Sequence, residues 1–156
     1  MRRDSLGPRP LHRPVAIRSH SFTVAGTSPG YGRGVAPNAS QIRGAQGERC
    51  ALAHYERLGF RLIERNHRAR FGEIDLIVAD ATTLVFVEVK TRLAGGLDPL
   101  LSLTPSKRRR VRRLAAAWLA NHPDRPRAPA VRIDAVAVVL DGGGALVSLE
   151  QFEDVA

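Results

Sequence analysis

A chain of 156 residues, 44% hydrophobic and 25% charged, has room for one domain and enough apolar material to bury a core. Its net charge of +9 points toward anionic partners, while the lone Cys50 excludes an internal disulfide or a cysteine-based zinc site and reads as an inert thiol. With neither a secretory apolar core nor a run near the ~18 apolar residues that span a bilayer, the sequence predicts a soluble cytoplasmic protein with no membrane partner.

Residues 1–43 differ in kind from the rest. They hold seven arginines against one acid, many Pro, Gly and Ser, and no apolar run beyond Val15-Ala16-Ile17. Such a composition cannot offset the entropy of ordering, so a disordered basic extension is expected over 1–43 and a folded domain over 44–156. The arm carries +6 of the +9 charge, which leaves +3 for the domain and weakens the case for nucleic-acid binding from charge alone. Its composition also fits an organelle transit peptide, although no amphipathic helix is evident, or an upstream-extended reading frame whose true start is Val24 or Val35.

Residues 45–58 read as a helix ended by Gly59, with Ala51, Leu52, Tyr55 and Leu58 as its apolar stripe. Glu48 falls inside that stripe, one turn ahead of Ala51 and Leu52. Its carboxylate therefore aims at the core side, where a charge is costly unless paired or metal-bound. The bland alternative is an acid in a frayed first turn, favoured there by the helix dipole.

A strand at Phe60–Arg65 follows, then two more that carry acids: Gly72-Glu73-Ile74-Asp75-Leu76-Ile77-Val78 and Phe86-Val87-Glu88-Val89-Lys90. Asp80-Ala81-Thr82-Thr83 between them is a plausible turn. A tip at Ala81–Thr82 sets Asp75 opposite Glu88 and Glu73 opposite Lys90, and period-two alternation gathers all four on one face. The other face then holds Ile74, Leu76, Val85, Val87 and Val89. Opposed carboxylates repel by up to about 1 kcal/mol, so something must compensate. A divalent cation would do so, because carboxylate oxygens suit hard ions such as magnesium; cross-strand pairing with Lys90 is the structural alternative. Among 24 basic residues only Lys90 and Lys107 are lysines, a hint that a compact ammonium is needed at those places.

After a Gly-containing loop over Ala94–Leu103, a second helix is expected from Pro105 to Ala120, capped by Thr104, with Val111, Leu114, Ala115 and Trp118 facing inward. Lys107 lies at the N-terminal end of that stripe, whereas Arg108, Arg109, Arg112 and Arg113 cover the opposite side. That arginine face is either a solvated helix surface or a phosphate-contacting patch. Strands at Val131–Val139 and Ala145–Leu149 complete an α/β pattern, with Arg132 and Asp134 expected to form a structural ion pair. No repeat, phosphate-binding glycine loop or nucleophilic triad is present.

The ordered succession Gly47-Glu48, Asn66-His67-Arg68, Gly72-Glu73-Ile74-Asp75-Leu76-Ile77, Phe86-Val87-Glu88-Val89-Lys90-Thr91-Arg92, Lys107 and Arg132-Ile133-Asp134 resembles the YraN family of uncharacterised bacterial proteins. The likeness runs from about Gly44 to the C-terminus. It implies a restriction-endonuclease-like core, an α/β fold with a mixed central sheet flanked by helices. The wider superfamily shares a PD-(D/E)xK motif, which by resemblance makes Asp75 and Glu88 metal ligands and Lys90 the catalytic lysine. Glu48 matches the helix glutamate of archaeal Holliday-junction resolvases and would join them as a ligand. Two departures stand out: no proline precedes Asp75, and His67 occupies a position where an aromatic is expected in many relatives.

The function this implies is a Mg2+- or Mn2+-dependent nuclease acting on DNA ahead of RNA, with branched or single-stranded DNA among its expected substrates. Glu48, Asp75, Glu88 and Lys90 form the expected catalytic set; Lys107, Arg108, Arg109, Arg112, Arg113 and Arg92 are the expected phosphate contacts. Resolvase likeness implies a homodimer by analogy. Two other functions remain open: a nucleic-acid-binding module that keeps the nuclease fold without turnover, and an interaction protein whose basic arm docks an acidic partner.

Overall fold

A computed structural model of the chain describes residues 15–18, 37–96 and 104–155. The elements are β1 (Val15–Arg18), α1 (Ala39–Arg57), β2 (Arg61–Ala69), β3 (Gly72–Ala79), β4 (Thr83–Leu93), α2 (Pro105–Asn121), β5 (Ala130–Leu140) and β6 (Leu146–Phe152). The strands form one sheet in the order β1-β6-β5-β4-β3-β2, in which β4 and β5 run parallel and the other neighbours antiparallel. A parallel pair requires a crossover, and α2 lies in the connection between β4 and β5.

The two parallel strands sit mid-sheet with a helix over each face, so each holds an unbroken apolar run where both faces are covered, Leu84–Val87 in β4 and Ala135–Leu140 in β5. On one face Cys50, Ala51, Leu52 and Tyr55 of α1 pack on Leu76, Val78, Val85, Val87, Val89, Val136 and Val138. On the other, Leu114, Ala115 and Trp118 of α2 pack on Ile74, Ile77, Ala79, Leu84 and Phe86. The α2 stripe is the one its spacing predicts. Thr104 caps the helix by accepting from the Lys107 N–H, with Pro105 at the first position.

Helix α1 starts six residues before the expected 45. Asn38 caps it in a reciprocal capping box: its Oδ1 accepts from the Gln41 N–H while Gln41 Oε1 accepts from the Asn38 N–H. The expectation of a frayed first turn around Glu48 is therefore wrong; that residue lies mid-helix, beyond the reach of the N-terminal dipole. Two stretches of the arm expected to be disordered carry secondary structure instead, the first turn of α1 and the short β1, where Val15-Ala16-Ile17 pairs along β6. The remainder of residues 1–36 lies outside the described residues, as do 97–103 of the anticipated loop.

The described chain is tied together by a polar cluster beneath α1. Fully buried Asp134 accepts the Tyr55 hydroxyl (2.7 Å), Arg132 Nε and Nη2 (2.8 and 2.9 Å), Gln151 Nε2 (2.9 Å) and the Asp154 N–H (3.1 Å). The expected Arg132–Asp134 ion pair is thus present, inside a larger network. Because the Gln151 amide nitrogen is turned to Asp134, its oxygen faces His54 Nε2 at 2.7 Å, which makes the imidazole the donor. Burial holds His54 below the usual histidine range and keeps it neutral in that role.

Candidate active site

The β3–β4 hairpin has the predicted register from Ala79–Leu84 to Leu76–Val87, closed by Asp80 Oδ1, which accepts from the N–H groups of Thr82 and Thr83. At the next step, where continued pairing would set Asp75 against Glu88, a side chain enters the ladder. The Val89 N–H donates to Asp75 Oδ2 at 2.6 Å. Residues on both sides of this point then depart from the expected two-faced hairpin. Ile74 packs in the α2 cluster while Leu76 belongs to the α1 cluster, although a regular strand would put both on one face. Glu73 lies 3.6 Å from Arg68 Nε on β2 instead of pairing with Lys90. Neighbouring Asn66, between the pairs Arg65–Leu76 and His67–Ile74, takes a left-handed φ of 50°.

Glu88 is buried, and Lys90 Nζ donates to its Oε1 at 2.5 Å. Arg110 of α2 brings Nη2 to 3.8 Å from the same oxygen. Asp75 is pushed up to about 7 from its ordinary 3.8, first by burial and then by the charge of Glu88; the Val89 N–H and Lys90 pull the other way, and Glu48 adds to the rise. Positive charge is therefore concentrated on Glu88 and scarce at Asp75.

Glu48 arrives from the α1 layer. The enabling residue is Gly47, where an added Cβ would lie 1.8 Å from the Thr91 hydroxyl oxygen, so only glycine lets the helix approach β4 this closely. Glu48 is half-buried, and the nearby Asn66 amide favours its ionised form. Burial raises its carboxyl above the usual range, with Glu73 pushing the same way. The geometry thus puts Lys90 in direct contact with Glu88, holds Asp75 on the Val89 N–H within electrostatic reach of both, and sets Glu48 near Asn66 and Glu73, also within electrostatic reach of Asp75.

Of the expected phosphate contacts, Arg108, Arg109, Arg112 and Arg113 are exposed on α2 and Lys107 is half-buried at its start; Ser106, Arg109, Arg112 and Arg113 line an open depression. Arg92 is engaged elsewhere, its Nη1 donating to the carbonyls of Leu93 and Gly96. His67 is bonded through Nδ1 to Glu64 at 2.7 Å and lies edge-on to His122. Arg110 is the residue beside Glu88 that sequence reasoning passed over, and Asn66 entered that reasoning only as part of the family succession, with no role. Arg110 was discoverable, since it lies three residues after Lys107 and four before Leu114, on the inward-facing stripe.

Among the described residues no three His, Cys, Asp or Glu side chains are grouped so as to enclose a metal ion. Magnesium and manganese do not demand such a cage: one or two carboxylates suffice, with water and substrate phosphate filling the other positions. Asp75 and Glu88 supply hard oxygen donors of that kind, and the upward pull on Asp75 marks a place where added positive charge is favoured. The residues fit such an ion.

A mixed sheet with a helix on each face, and an acid pair with a lysine where two strands part, defines a restriction-endonuclease-like core. The family model described as "Uncharacterised protein family UPF0102" matches residues 47–138, and the chain belongs to that family, also called YraN. Among its relatives, a UPF0102 protein of Mycobacterium avium (strain 104) is 50% identical over 98 residues, covering 61% of this chain and 75% of its own length. One from Geobacter sulfurreducens is 49% identical over 81 residues, covering 51% and 63%. A third, from Corynebacterium efficiens, is 44% identical over 116 residues, covering 74% and 92%. No helix among the described residues is long and apolar enough to cross a membrane.

Proposed function

We propose that the protein is a magnesium- or manganese-dependent phosphodiesterase acting on DNA. The observation that carries this reading is the Asp75 carboxyl, raised to about 7 beside buried Glu88, with Lys90 bonded to Glu88. Neighbouring acids of which one, Asp75, lacks a cation of its own are uncommon as purely structural features, and they suit a site that receives a cation together with an anionic substrate. Asp75 and Glu88 would hold the ion, with Glu48 as the third acid reaching it from α1. A bound divalent cation supplies polarisation of a phosphoryl oxygen and a lowered pKa for water.

The chain's own groups do the rest. The Val89 N–H fixes the orientation of Asp75. Lys90, once its ammonium is released from Glu88, can orient an attacking water and stabilise the negative charge that develops on phosphorus oxygens. Lys107, Arg108, Arg109, Arg112 and Arg113, on a helix whose described residues include no acid, would grip the flanking phosphates.

Labelled linear, forked and four-way DNA incubated with either metal tests the reading. At least one substrate should be nicked, and Asp75→Ala and Lys90→Ala should each remove the cleavage. No cleavage of any of the three in either metal would count against an enzyme. A second reading, a binding module without turnover, draws on the Lys90–Glu88 contact, which occupies the carboxylate a metal would use. It predicts salt-dependent DNA binding that survives Asp75→Ala and no cleavage at all.

A further inference from the structure

Between β2 and β3 the chain reverses through Arg70 and Phe71, since Ala69 pairs directly with Gly72. Phe71 sits at the tip of this turn, 54% exposed, and is among the most exposed large hydrophobic residues described. Two guanidinium groups lie over its ring: that of Arg70 at 5.7 Å from the centroid and that of Arg113, from α2, at 5.6 Å. Arg113 also lines the open depression with Ser106, Arg109 and Arg112. The neighbouring Gly72 packs against Arg110 and Leu114, and Arg110 reaches Glu88, so the turn connects to the acid pair through a continuous set of contacts. Phe71 is four residues along the strand from Asp75, roughly 13 Å at about 3.3 Å per residue.

We propose that Phe71, with Arg70 and Arg113, forms a stacking platform for an unpaired nucleobase. An aromatic face and planar guanidinium groups are the surfaces on which bases of single strands stack, and surrounding arginines supply the phosphate contacts such a strand needs. A duplex keeps its bases stacked internally and has none to offer at the tip. This inference rests on the proposed nuclease reading and deepens it, since it names strand ends, gaps or branch points as the part of the nucleic acid presented to Asp75 and Glu88. A base on the platform would leave a phosphate one or two nucleotides away to reach the acids.

The test is fluorescence anisotropy of the full chain in chelator, which blocks metal-dependent cleavage, with a labelled single-stranded oligonucleotide and a blunt duplex of equal length. Phe71→Leu keeps the apolar volume and removes the π face. It should weaken single-strand binding about 5- to 100-fold and leave duplex binding within about twofold. Phe71→Trp should bind single strands at least as well as wild type. The slope of log affinity against log salt should be unchanged by Phe71→Leu and reduced by Arg113→Ala, which removes a phosphate-facing charge. Equal single-strand affinity for wild type and Phe71→Leu would overturn the proposal, as would equal losses on both DNAs. Loss of binding to anionic vesicles by Phe71→Leu with no loss on single strands would also overturn it, by assigning the turn to a lipid surface. Cleavage by wild type in magnesium is scored separately: a platform that fails while cleavage persists leaves the nuclease reading standing, and the reverse result leaves a stacking module without turnover.

Discussion

Replacing Asp75 by Asn keeps the shape of the side chain and its acceptance of the Val89 N–H, but removes the carboxylate that burial and Glu88 disfavour. The native pKa of about 7 lies above the ordinary 3.8, so the folded protein holds a proton that the unfolded chain has already lost. Stability from this group is therefore fully present below pH 3.8 and declines until the pH passes about 7. At about 1.4 kcal/mol per unit the ceiling across the window is about 4 kcal/mol; water at the opening where the strands part reduces it to about 2 kcal/mol. Glu48 is displaced the same way, and Glu64 and Asp80 the opposite way, so the signal is the difference between variant and wild type. Urea denaturation in chelator at pH 5 and pH 8, which spans roughly two thirds of that window, should show Asp75→Asn gaining on wild type by about 1 kcal/mol between the two. Parallel pH dependences for the two proteins would refute the idea that Asp75 is a strained, under-compensated acid.

Asp134→Ala should cost about 2–4 kcal/mol in denaturant titrations, because it takes the acceptor from the buried Tyr55 hydroxyl and leaves Arg132 and the Gln151 amide nitrogen only their contacts with half-exposed Glu153, whereas Tyr55→Phe should cost only about 1 kcal/mol. Gly47→Ala forces a Cβ into Thr91 and should destabilise by about 1–3 kcal/mol, partly recovered when combined with Thr91→Ala; additive effects of the two changes would contradict a direct contact. Arg110→Met retains the packing against Gly72 while deleting the charge near Glu88, and in the cleavage assay it should lower turnover on the best substrate by about tenfold or more without changing the melting temperature by more than about 2 °C. Unchanged turnover would limit Arg110 to a packing role.

Features set by local chemistry were legible in the sequence. Thr104-Pro105 marked the start of α2, the spacing of Val111, Leu114, Ala115 and Trp118 marked its inner face, and Asp80 to Thr83 fixed the register of the hairpin. What escaped depends on the third dimension. The apolar stripe of α1 begins only at Ala51, so it did not reveal the polar turns before residue 45, where Asn38 and Gln41 set the cap; nor did it show that Gly47 is there to admit Thr91. Strict alternation predicted four charged side chains on one face of β3 and β4. Insertion of the Asp75 carboxylate against the Val89 N–H breaks that alternation, and no periodicity announces such an event. The ties from Asp134 to Tyr55 and Gln151 join residues distant in sequence, and each polar residue taken alone looked ordinary.

Titration calorimetry of magnesium and manganese into wild type, Asp75→Asn and Glu88→Gln at pH 6.5, in two buffers of different ionisation enthalpy, goes to the core of the proposed chemistry. Wild type should bind one ion or more and release a fraction of a proton per ion as Asp75 is driven to its ionised form, and each variant should lose the binding. Wild type that takes up neither metal, or that binds with no proton released and equally well after Asp75→Asn, would contradict a cation site at Asp75 and Glu88.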